Sequence, residues 1–102
     1  MSAWSSWLSS RPFEWQFRAP PAGVENVRHQ LLALLDDCEG FEVDRLRWRL
    51  HMAERAQELW LLRDALFQVV SSQHCQSLAM QRMEGVVPAF RQVLPAHLVG
   101  RV

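Results

Sequence analysis

Residues 43–70 read VDRLRWRLHMAERAQELWLLRDALFQVV and contain neither glycine nor proline. One apolar stripe (Trp48, Met52, Ala56, Leu59, Leu62, Leu66 and Val69) advances by steps of three and four, the period of an α-helix. A second stripe adjoins it, made of Leu46, Leu50, Ala53, Trp60 and Phe67 and interrupted by Gln57 and Asp64. Arg47, His51, Glu54, Arg55 and Glu58 leave only a narrow polar face. The pattern predicts one continuous helix of about 42 Å at about 1.5 Å per residue. Two adjoining apolar stripes require cover on more than one side of that helix.

The flanks supply two more helices. Pro20 and Pro21 precede a helix start, where proline is well tolerated. Val24, Val27, Leu31, Leu34 and Cys38 then step by three and four, with Glu25, His29, Ala33 and Asp36 on the opposite side, and Gly40 supplies a stop. Past Ser71 and Ser72, Met80, Met83, Val87, Phe90 and Leu94 repeat the same period. Pro88 interrupts this third helix and predicts a kink or break near 85–88. Pro95 closes the pattern.

The expected fold class is therefore all-α, with three principal helices in an up-down-up bundle and a long central helix. Residues 1–20 form an aromatic N-terminal arm. Trp4 and Trp7 lie in its first half, and Phe13, Trp15 and Phe17 alternate with Glu14, Gln16 and Arg18 in its second. Period two predicts an extended stretch with one apolar side, laid across the helices. Residues 21–95 make the bundle and 96–102 a loose C-terminal tail.

Composition narrows the function classes. The 102 residues are 49% hydrophobic and 22% charged, which suits an ordinary globular domain. Formal net charge is zero, so no overall field recruits nucleic acid or an anionic membrane. Lys, Ile, Thr and Tyr are absent and every one of the 11 cations is Arg. This usage points to a GC-rich, bacterial coding sequence, so the arginines are not by themselves a sign of phosphate recognition. No basic, apolar leader opens the chain and no stretch approaches the length of a membrane span, which sets the expectation of a cytoplasmic protein.

Candidate chemistry is sparse. Cys38 and Cys75 lie far apart at apolar positions and read as buried small hydrophobes. Cys38, His74 and Cys75, with His29 or His97, fit no structural zinc spacing, so neither a metal nor another cofactor is expected. His51, Glu54 and Glu58 share one helix face, but in a single set and on the polar side, so they read as a solvated face. Asp36, Asp37, Glu39, Glu42 and Asp44 form an acidic run. Its later members suit the start of a helix; Asp36 and Asp37 have no such explanation. Gly-rich phosphate loops, nucleophile elbows and calcium loops are absent.

These readings predict a non-enzymatic protein–protein interaction domain. It would associate through the broad apolar face of the central helix at Trp48, Met52, Leu59, Trp60 and Phe67, with itself as a homodimer or with another protein. Two alternatives are a nucleic-acid-binding domain using Arg45 and Arg49 as anion contacts, and a small-ligand-binding bundle with its site among Trp48, Trp60 and the methionines. The acidic neighbours of Arg45 and Arg49 disfavour the first. The near-neutral arm disfavours a membrane anchor.

Overall fold

The computed structural model describes residues 21–99. They are all-helical, with six segments and no strand among the described residues: α1 (Pro21–Ala33), α2 (Phe41–Met52), α3 (Ala56–Leu61), α4 (Arg63–Gln73), α5 (Gln76–Arg91) and α6 (Ala96–Val99). The aromatic arm, residues 1–20, and its expected packing lie outside the described residues.

The continuous helix expected over 43–70 does not form. α2 ends at Met52, Ala53 turns to extended backbone (φ −66°, ψ 133°), and an extended Arg55 precedes α3. Polar groups on both sides of the gap satisfy the freed backbone. Arg28 of α1 donates through Nη1 to the carbonyls of Leu50, His51 (3.2 Å) and Ala53 (2.7 Å). Acceptors orphaned at the end of α2 are thus met from another helix. From the other side, the Glu58 carboxylate accepts the backbone amides of Glu54 (2.6 Å) and Arg55 (2.9 Å). This satisfies donors at the start of α3, as the acidic half of a capping box does.

The gap is a reversal of chain direction. Along a straight helix Leu46 and Val69 would stand roughly 35 Å apart. Here they line one groove, and α2 packs on α4. Most of the two apolar stripes therefore forms the inner faces of successive helices folded back on each other, with Trp48 and Met52 left outside. Leu46, Leu50, Ala53, Ala56, Leu59, Trp60, Leu62, Leu66 and Val69 are all buried in one core. The described residues make four main passes, α1, α2, α3–α4 and α5, where three were expected.

α3 and α4 are nearly one helix, separated at Leu62, whose amide bonds back to Leu59 at 3.1 Å. Arg63 donates to the Trp60 carbonyl (2.8 Å) and lies 4.2 Å over the Trp60 ring. Only His74 and Cys75 connect α4 to α5. Trp60 and Phe90, roughly equidistant from that connection, meet edge to face with centroids 4.8 Å apart and planes at 73°. The two passes thus run antiparallel.

α1 tightens after Ala33. The amides of Leu35, Asp36 and Cys38 bond back three residues, at 3.1, 3.2 and 3.0 Å, a 3₁₀-type ending that still buries Leu35 and Cys38. Gly40 then N-caps α2 at φ 118°, ψ 172°, backbone that essentially only glycine adopts. α5 continues through Pro88 without a break. Its buried residues are Ala79, Val86, Ala89 and Phe90, so the core face is turned by about one residue from the methionine stripe, and Met80 is exposed. Residues 96–99, read from sequence as part of a loose tail, form a helical turn whose Val99 is fully buried. Among the described residues no helix is long and apolar enough to cross a membrane.

Candidate functional site

Among the described residues, a dense polar constellation joins the turn after α1 to the α4–α5 connection. Asp37 occupies its centre. Arg82 of α5 donates to both carboxylate oxygens, Nη1 to Oδ1 at 2.8 Å and Nη2 to Oδ2 at 2.7 Å. It also reaches the Leu34 carbonyl at 3.0 Å. His74 Nε2 lies 3.2 Å from Asp37 Oδ2. The Cys38 thiol faces Asp37 Oδ1 at 3.8 Å. One layer away, Gln73 and Glu39 exchange two bonds: Glu39 N–H to Gln73 Oε1 at 2.9 Å and Gln73 Nε2 to the Glu39 carbonyl at 2.6 Å. These bonds fix the two turns against each other.

The electrostatics follow from the geometry. The Arg82 guanidinium holds the Asp37 carboxyl well below the usual carboxylate range, with charges on Arg82 and His74 adding to the effect. Burial pushes the Cys38 thiol up, and the neighbouring Asp37 carboxylate adds to that. Burial of this kind works against the nucleophilic thiolate form of Cys38.

Sequence reading missed Asp37. Its partners lie far along the chain, Arg82 at a separation of 45 residues. Cys75 also departs from expectation. It is exposed, stands at the N-cap of α5 and has its sulfur 3.4 Å from Ser77 Oγ. Hydrogen bonds from Ser77 and the Leu78 amide draw its thiol down.

The residues expected to form an interaction face divide into two groups. Leu59 and Trp60 are core residues and Phe67 is half-buried against the core. Trp48 and Met52 remain 65% and 58% exposed, and Leu61, not singled out from sequence, is 73% exposed. Trp48, Met52, Leu61 and Leu62 line one shallow depression beside the α2–α3 corner, with Arg49 and Glu58 at its rim. Arg45 and Arg49 do share a groove, between α2 and α4, but Glu42 lines it too. Of the proposed His51, Glu54 and Glu58 face, Glu58 is engaged in capping and its carboxyl is lowered by the two amides it accepts. No protein-family model, curated protein or solved structure was found to match this chain.

Proposed function

We propose that this chain is a non-catalytic helical interaction domain that self-associates as a homodimer through the depression at Trp48, Met52 and Leu61. The observation that carries the reading is the exposure of these three large apolar side chains on one continuous surface. A cluster of that kind is a characteristic mark of a contact site. The same patch carries both signs of charge, Arg49 and Glu58. Two copies related by a two-fold axis can therefore meet there without opposing only like charges. A formal net charge of zero adds little long-range repulsion to such a contact.

Size-exclusion chromatography with light scattering tests this. The native chain is expected to run as a dimer that dissociates on dilution, and Trp48→Glu with Leu61→Glu to give a folded monomer. A native chain that stays monomeric over a wide concentration range would overturn the proposal. So would an unchanged dimer in the double variant.

A further inference from the structure

We propose that Asp37, Cys38 and His74 form a three-ligand site for a zinc-class divalent cation that ties the α1–α2 turn to the α4–α5 connection. One carboxylate oxygen, the Cys38 sulfur and the His74 Nε2 lie within 4.8 Å of one another. Two of the separations are 3.8 Å (Cys38 Sγ to Asp37 Oδ1) and 3.2 Å (His74 Nε2 to Asp37 Oδ2). Metal–ligand bonds of about 2.0–2.3 Å at tetrahedral angles place ligand atoms about 3.3–3.8 Å apart. The sulfur and the imidazole thus each stand at such a length from the carboxylate, through different oxygens, and the three ligand atoms have to close from within 4.8 Å of one another. A mixed sulfur, nitrogen and oxygen set suits zinc or cobalt far better than calcium or magnesium, which take oxygen alone.

The surroundings fit a cation entering from solvent. Asp37 and His74 are exposed at the rim, and Cys38 lies beneath them at 1% exposure. Arg82, through its two bonds to Asp37, acts as the outer partner that fixes the orientation of a ligating carboxylate. The Gln73–Glu39 pair holds the turns in register, which reduces the ordering that binding would otherwise require. On binding, the Cys38 thiol releases its proton to solvent and the thiolate, carboxylate and neutral imidazole coordinate the ion, with water completing the shell. Arg82 places a positive charge nearby and weakens the site, so the affinity is expected to be moderate rather than that of a closed four-ligand centre.

The experiment uses the full chain carrying Cys75→Ser, which removes the exposed thiol as a competing ligand. Titration with cobalt(II) is expected to give one bound ion per chain. It should show a thiolate-to-cobalt charge-transfer band together with visible bands of tetrahedral intensity. Zinc should displace the cobalt and raise the thermal midpoint. Cys38→Ala should abolish the charge-transfer band, and His74→Gln, a change at an exposed position, should weaken binding at least about tenfold, the usual scale for disturbing a metal site. Absence of the band in the parent, its persistence in Cys38→Ala, or unchanged affinity in a folded His74→Gln chain would each overturn the proposal.

Discussion

Arg82 and Asp37 are 45 residues apart in sequence and meet through two parallel N–H···O bonds, at 2.8 and 2.7 Å. A bidentate pair of this kind fixes geometry as well as charge. Here it connects α5 to the end of α1 and gives Asp37 a lower pKa in the folded chain than in the unfolded one. A carboxyl with a depressed folded pKa adds stability above its unfolded pKa, about 3.9. That contribution is lost as pH falls through the folded value. Thermal midpoints should therefore fall on acidification below about pH 5, and Asp37→Asn should start lower at neutral pH and fall less steeply. Parallel curves for the two chains would show that the pair is not coupled to folding.

Arg28 should carry the corner between α2 and α3. Its side chain is only 12% exposed and also pairs with Glu25 at 3.0 Å. Arg28→Ala leaves carbonyls of Leu50 and Ala53 without their donor, at an expected cost of about 1–3 kcal/mol. Arg28→Lys should restore little, because one ammonium cannot reproduce a planar fork shared between three carbonyls and a carboxylate. Urea unfolding midpoints provide the measurement, and a midpoint unchanged in Arg28→Ala would show that the corner holds without this residue.

Two glycines should respond in opposite directions to the same substitution. Gly40→Ala has room for its Cβ but forces alanine to φ 118°, which should destabilise by roughly 1–3 kcal/mol. Gly85 lies inside α5, and a Cβ there meets nothing within 4 Å. Gly85→Ala should therefore stabilise by about 0.5–1 kcal/mol through helix propensity and a stiffer unfolded chain. Calorimetry of both variants checks the pair; the same sign for both would contradict the backbone assignment.

The two described tryptophans should separate cleanly. Trp60 is 8% exposed and packs on Phe90, so Trp60→Ala should lose about 3–5 kcal/mol. Trp48 is 65% exposed, and Trp48→Ala measured on dilute monomer should stay within about 0.5 kcal/mol of the native chain. A large loss at Trp48 under those conditions would place it in a core that these contacts do not contain.

Helical periodicity located most of the core. Val24, Val27, Leu31 and Cys38 are buried as their spacing required, and Glu25, His29, Ala33 and Asp36 are exposed on the opposite side. Periodicity did not locate the corner, because the groups that stop α2 are not in α2. Arg28 acts from 25 residues upstream on Ala53, and no glycine or proline marks the place. The same blindness hid Asp37, whose partners His74 and Arg82 sit on another turn and on α5. It also hid a use for the arginines. Arg28, Arg47, Arg63 and Arg82 each donate to a backbone carbonyl at or near the end of a helical segment. In this protein guanidinium forks do work often left to a terminal glycine. The depression at Trp48 was half legible: its aromatic and its methionine stood in the stripe, but only the reversal decided which stripe residues stayed outside.

A corner stabilised from outside its own sequence has a second arrangement available. With Arg28 withdrawn, only the Glu58 cap within residues 43–70 would hold the bend, and straightening them would convert an intramolecular α2–α4 contact into an open pair of arms. Two opened chains can trade arms and rebuild every buried contact of the closed form between them, which is the low-cost route to domain exchange. The guanidinium that closes the fold would then also oppose that exchange.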